Sequence, residues 1–345
     1  MSRPVPFLLH PASKDYLWGG TRLNDDFSKH IPSDVIAETW ECSTHPDGVS
    51  IAASGEWIGM PLDGILRAHP EYLGEHAHGG SDLPVLVKFI DAKRDLSIQV
   101  HPNDEMAQRE HGKMGKSEMW YIIKAEKGAH LYAGFKQSIT PYEYQKRIED
   151  GSITEVLADH QVKAGDVFYL PAGRVHAICG GIMLAEVQQS SDVTYRIYDY
   201  NRPGLDGKPR ELHTELAAQA LDYHVEKNYL TEYTEAKDQA IQIVDTPYFD
   251  VRIMELTRPF HRNLLKYDSF IISMCIEGDC KLRIRSTGDE ITLREGTSTL
   301  IPASIADYDV IPLQGNTCIL DAFIDNLDRS LSAHLARFFI RQRVG

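Results

Sequence analysis

The chain lacks most of the features that would mark a redox, nucleic-acid or membrane protein. Its five cysteines (Cys42, Cys179, Cys275, Cys280 and Cys318) form an odd set with no CxxC spacing. That pattern points to free, buried thiols in a cytoplasmic protein. Positive charge is scarce: 36 Lys and Arg stand against 50 Asp and Glu, a formal net charge of -14. Such a balance argues against a nucleic-acid partner, because gripping a phosphate backbone needs a basic surface. Local lysines and arginines can still serve a small phosphorylated substrate. No apolar run is long enough to span a bilayer, and the first residues hold no apolar core ahead of a cleavage site, so no membrane partner is expected. Walker A spacing is missing, and no GxGxxG opens a helix after a strand, so nucleotide-dependent chemistry has no support. What remains is an ordinary globular composition. With 345 residues, 42% of them hydrophobic and 25% charged, the chain can bury one large core or two smaller ones.

The most informative stretch runs from Leu96 to Ile123, LSIQVHPNDEMAQREHGKMGKSEMWYII. It has the composition of a strand, a polar loop and a second strand. At a side-chain period of two, Gln99 and His101 share one face of the first strand and Ile98 and Val100 the other. Pro102 ends that strand. Lys116 and Glu118 are again two apart, directly before the apolar Met119–Ile123. Imidazole, carboxylate and amide oxygen are donors suited to zinc or another divalent first-row ion. A further donor lies downstream in VKAGDVFYLPAGRVHAI, where His176 opens a strand after a Pro-Ala-Gly turn. Gln99, His101, Glu118 and His176 are therefore candidate metal ligands.

Read in order, the chain alternates short strands with few helices. Phe7–Leu9, Ala37–Ser43 and Pro84–Ile90 read as strands, with Glu38, Trp40 and Cys42 on one face of the second. Lys88 interrupts the apolar third, either as an edge or barrel-mouth residue or as one placed to meet an anion. Thr140 and Pro141 open a helix to Asp150. Leu212, Leu216, Ala220 and Tyr223 mark another between Glu211 and His224. A second strand-rich region from Tyr248 to Phe323 repeats the grammar of the first: Arg294-Glu295-Gly296 to Pro302-Ala303 parallels Lys163-Ala164-Gly165 to Pro171-Ala172. The echo suggests two barrels of one kind. The expected organisation is a catalytic barrel over 1–224, a linker over 225–247, a second, metal-free barrel over 248–328 and a helical tail over 329–345.

These motifs, in this order, resemble the type I mannose-6-phosphate isomerases of the short bacterial form, in the cupin superfamily. The resemblance covers nearly the whole chain. It is carried by YLWGG at Tyr16–Gly20, Glu38-Thr39-Trp40, SIQVHPND at Ser97–Asp104, GKSEMWYI at Gly115–Ile122, PAGRVHAI at Pro171–Ile178 and EVQQSSDVTYRIYDYNR at Glu186–Arg202. It implies a mainly β fold of two cupin-type jelly-roll barrels with a small helical portion. It also implies Zn2+ on Gln99, His101, Glu118 and His176, and interconversion of mannose 6-phosphate and fructose 6-phosphate through a cis-enediolate. Lys116, Glu186 and Arg196 are the implied catalytic residues, with Lys116 or Glu186 as the base. Lys88, Arg196, Arg202 and Ser97 are candidates for the phosphate, and Trp18 for a wall of the sugar site. The tail suits either docking on the body or an oligomer contact, in a monomer or homodimer. Longer members carry an extra helical domain and have His-Lys-Pro-Glu where this chain has Gly-Lys-Ser-Glu, which keeps the lysine and the glutamate. Other readings are a different metal-dependent cupin enzyme (an iron oxygenase or another sugar isomerase) and a non-catalytic sugar-phosphate-binding cupin.

Overall fold

In the computed structural model, residues 3–77, 82–204 and 207–324 are described. They form four antiparallel sheets of seven, six, five and four strands. Apolar clusters show how the sheets stack. Outermost, the helices Asp104–His111, Pro141–Glu149 and Thr214–Ala220 cover one face of the five-stranded sheet, through Met106, Tyr144 and Ala217 against Val100, Phe135 and Tyr195. The other face of that sheet meets the six-stranded sheet through Leu131, Ile178, Ile90 and Ile122. The six-stranded sheet then packs on the seven-stranded one through Val85, Val87, Phe89, Ile272 and Leu320. The four-stranded sheet closes the stack through Leu282, Val310 and Ile301.

The middle position of the six-stranded sheet explains its sequence. Strand Val85–Ala92 is buried along its whole length, because both faces are covered, and it therefore reads as a continuous apolar run rather than an alternating one. Odd positions Val85, Val87 and Phe89 face the seven-stranded sheet, while Ile90 and Ala92 face the five-stranded one. Lys88 shares the parity of the second set. It is thus an interior residue of a central strand and not an edge one.

Among the described residues the expected jelly-roll barrels are not found. Each sheet is open: the six-stranded one runs from an edge at Ala12–Lys14 to an edge at Val167–Leu170, and no ladder joins its ends. Short strands separated by turn residues fit a stack of open sheets as well as a barrel, so the sequence pattern could not separate them. The echo between the halves survives locally, since Gly165 and Gly296 both turn the chain at positive φ before a short strand. The N-terminal strand Phe7–His10 pairs with Ser298–Ile301 and so joins the sheet built by the C-terminal half. The helical expectation for the tail lies outside the described residues.

Three local readings change. The expected polar loop after Pro102 holds a helix, Asp104–His111, whose N-cap Asn103 accepts the Met106 amide and whose C-terminal Gly112 is left-handed; Asn before and Gly after are ordinary stop signals. A bulge between Trp40 and Cys42 turns Cys42 to the opposite face from Glu38 and Trp40. The helix expected over Glu211–His224 is shorter, Thr214–Ala220.

Candidate active site

The six- and five-stranded sheets present facing rows in which polar side chains take over from the apolar filling between them. On the first sheet, Trp40, Lys88, Glu186, Trp120 and Phe168 lie opposite one another on five adjacent strands. Glu118 pairs with Gln188 in the neighbouring row. On the second sheet, Ala133, His176, Gln99 and Arg196 form the matching row, and His101 follows directly after strand Ile98–Val100.

His101, Glu118 and His176 converge there, their donor atoms within 4.8 Å of one another and all three side chains buried. Nε2 of His101 lies 3.3 Å from Glu118 Oε2, and Nε2 of His176 lies 3.3 Å from Oε1. The other ring nitrogens are fixed by backbone carbonyls: His101 Nδ1 is 3.0 Å from the Val193 oxygen and His176 Nδ1 2.8 Å from the Arg174 oxygen. A carbonyl only accepts, so both Nδ1 atoms carry the proton and both Nε2 lone pairs point at the carboxylate. Burial, reinforced for His101 by the Lys116 ammonium, lowers both imidazoles, His101 to about 3, and keeps them neutral. Burial acts to raise Glu118, but the Lys116 ammonium beside it prevails and holds the carboxyl well below its ordinary value.

This donor set fits a divalent metal. Neither oxygen of buried Glu118 accepts a hydrogen bond, and Lys116 stands beside Oε2 alone, so a cation between the three donors would offset the cost of burying the carboxylate. Two neutral imidazoles oriented by their carbonyl contacts and one carboxylate are the usual zinc complement. Gln99 reaches the same point, its amide nitrogen 3.3 Å from His176 Nε2; a half-turn of the amide brings its oxygen there instead.

Lys116 sits beside the trio, with Nζ 3.1 Å from His101 Nε2 and 3.2 Å from Glu118 Oε2. Its loop is held tightly. Asp104 Oδ1 accepts the Gly115 amide at 2.8 Å and the Gln189 side-chain amide at 3.0 Å, Gln189 Oε1 accepts the Ser117 amide at 2.8 Å, and the Lys116 amide donates to the Pro102 carbonyl. A Cβ on Gly115 would come within 2.6 Å of the Asn103–Asp104 backbone. Glycine is what lets this loop approach the helix start.

A cavity of about 540 Å³, within the range of small-molecule sites, opens beside the trio, which lies behind Gln99 and Lys116 of its lining. Among the residues expected to act there, Trp18, Lys88, Ser97, Gln99, Lys116 and Arg196 line it. Glu186 lies behind the surface. Its Oε1 is 2.9 Å from Lys88 Nζ, and its Oε2 accepts the Trp120 indole N–H at 2.9 Å. Burial raises the Glu186 carboxyl, against the pull of Lys88. Arg202 turns to Asp199 at 2.7 Å and is not among the lining residues.

Glu38, Trp40, Tyr16, Lys14, Thr194 and Arg210 line the cavity without having been singled out for it. Strand parity could have found Glu38, which accepts the Trp40 indole N–H at 2.7 Å and lies 3.5 Å from Lys88 Nζ. No periodic signal marks Arg210, which arrives from a Gly- and Pro-rich loop.

Comparison with known proteins accords with this geometry. Residues 7–136 match the model of the phosphomannose isomerase type I catalytic domain, and residues 239–320 that of the mannose-6-phosphate isomerase cupin domain. The chain is 36% identical over 308 residues to the probable mannose-6-phosphate isomerase GmuF of Bacillus subtilis, covering 88% of this chain and 96% of that one. It is 32% identical over 320 residues to the mannose-6-phosphate isomerase of Streptococcus mutans, covering 91% and 99%. The crystal structure of the Bacillus subtilis mannose 6-phosphate isomerase superposes with a TM-score of 0.84 at 33% identity, over 92% of this chain and 99% of that one. Because the likeness runs through both sheets that build the His-Glu-His trio, the chain belongs to the type I mannose-6-phosphate isomerase family.

Proposed function

We propose that the protein interconverts mannose 6-phosphate and fructose 6-phosphate, with zinc held by His101, Glu118 and His176 and by Gln99 as a fourth ligand. The observation that carries this reading is the convergence of two neutral imidazoles and one buried carboxylate beside a cavity large enough for a sugar phosphate, with Gln99 and Lys116 in its wall. When bound, zinc supplies a Lewis acid for negative charge developing on the sugar oxygens.

Isomerisation removes a proton from C2 of the open aldose, passes through a cis-enediolate and returns the proton to C1. Lys116 is the proposed proton carrier, because it lines the cavity and its Nζ lies beside the trio. Glu186, enclosed by Lys88 and the Trp120 indole, acts by balancing the charge of Lys88. Trp18 and Ser97 bound the sugar, and Arg196 meets the negative charge of the substrate. A cytoplasmic setting is supported by five buried thiols with no disulfide among them.

The deciding experiment couples mannose 6-phosphate conversion to a fructose 6-phosphate detector before and after chelation. Activity is expected to vanish with the metal and return with added zinc. A full rate in metal-free protein would overturn the reading.

A further inference from the structure

The loop after strand Tyr195–Tyr198 makes an unusual return. Tyr200 and Asn201 are consecutive non-glycine residues at positive φ, 55° and 52°, a conformation that side chains disfavour and that the surroundings must hold. The chain then comes back beside the strand it left: the Arg196 amide donates to His213 Nδ1, and the His213 amide donates to the Arg196 carbonyl. The return carries Arg210 to the cavity wall next to Arg196.

Asp199 fixes it there. Its Oδ2 takes Arg210 Nε at 2.7 Å and its Oδ1 takes Arg210 Nη2 at 2.6 Å, while Arg202 uses Oδ1 as well, at 2.7 Å. Arg196 donates from Nη1 to the Glu211 carbonyl at 2.8 Å, and its Nε is buried without a partner. Three guanidiniums thus gather around the Asp199 carboxylate, with Glu211 as the other acid acting on Arg196, so positive charge exceeds negative. Burial and then the neighbouring Arg210 depress the Arg196 guanidinium, the mark of like charges crowded together. The lysines of the cavity are engaged, Lys88 by Glu186 and Glu38, Lys116 by Glu118 and Lys14 by the Asp47 carbonyl, as Arg210 is by Asp199, whereas Arg196 keeps a buried Nε without a partner. A phosphate monoester carries about two negative charges near neutral pH and would meet that positive excess.

Resting on the sugar-phosphate reading above, we propose that Arg210 is a specificity-determining residue that grips the substrate phosphate together with Arg196, and that Asp199 is the positioning residue that holds its fork at the cavity wall. The clamp is then assembled from a strand and a returning loop rather than from one motif. Its chemistry selects phosphorylated over free sugars, since a neutral hydroxymethyl group would leave the excess charge unmatched.

The test uses zinc-loaded protein with mannose 6-phosphate as substrate and inorganic phosphate as competitor. R210A is expected to raise KM and the phosphate inhibition constant about 10-fold or more, with kcat changed by less than about 3-fold and zinc content intact. R210K should recover part of the loss, and D199N should raise KM without altering zinc content. R202A, which removes a guanidinium from the same carboxylate but not from the cavity wall, should shift KM far less than R210A. Values for R210A within about 2-fold of wild type, or equal effects of R202A and R210A, would overturn the proposal. Should R210A melt below the assay temperature, R210Q carries the same expectation. A wild-type protein that fails to isomerise the substrate would sink the functional reading alone; calorimetric binding of inorganic phosphate to wild type and R210A would still decide the clamp, with unchanged affinity counting against it.

Discussion

Lys88 and Glu186 sit opposite each other on adjacent central strands and form a buried ion pair, Nζ to Oε1 at 2.9 Å. The pair lies in the same row as Trp40 and Trp120. Charge in the middle of a three-sheet interior is tolerated here because each member is matched. Trp120 donates to the other oxygen of Glu186, and Glu38 stands 3.5 Å from Lys88.

Removing one partner should therefore be expensive. K88M leaves Glu186 without its cation, and a loss of about 3–5 kcal/mol is expected in denaturant unfolding at pH 8. The double variant K88M/E186Q should recover part of it. Since burial already raises Glu186, the loss in the single variant should be smaller at pH 5 than at pH 8, because a lower pH favours the protonated carboxyl that needs no cation. An equal loss at both pH values would contradict the assignment.

Metal binding should depend on each member of the trio. H101A and E118Q are each expected to lower activity by about 10²–10³-fold or more and to reduce zinc content measured by atomic absorption. Full zinc occupancy in H101A would place the ion elsewhere.

Acid should both unfold the metal-free protein and strip the metal from the loaded one. In the folded state His101 is lowered to about 3 and His176 is also lowered, so between about 3 and 6.5 the unfolded chain binds more protons than the folded one. Stability rises with pH across that window and is lost as pH falls through it. Glu118, held below its ordinary value, adds a loss at the acid end. Unfolding free energies of metal-free protein at pH 4.5 and 7 should differ in that sense, and the difference should shrink in H176Q.

Gly115 should resist substitution. A Cβ there meets backbone at 2.6 Å, so G115A must push the Lys116 loop away from Asp104. A stability cost of about 1–3 kcal/mol is expected, together with a fall in kcat larger than any change in KM, because the displaced group is the proposed proton carrier. A kcat near wild type would separate the loop position from the chemistry.

Most of the metal site was legible because period-two alternation is a local rule. Gln99 and His101 fall on one face whatever sheet the strand joins, and Glu118 heads an apolar strand in any packing. Lys88 was half legible: its place in an apolar run showed, but only the layers on both sides reveal it as interior. The helix Asp104–His111 carried its cap signals openly, yet polar composition masked them. Barrel and stack could not be told apart, since both are written in short strands and glycine turns.

The sequence by itself determined the β-rich composition, the donor set of the metal centre and the strand faces that present it, because these depend on neighbours a few residues apart. Tertiary structure decided which strands face each other, that the sheets stay open, that Glu186 is enclosed while Lys116 meets the cavity, and that Arg210 returns to Arg196. Those outcomes depend on contacts between residues far apart in the chain, where packing between layers and the pairing of buried charge, rather than any local periodicity, set the lowest free energy.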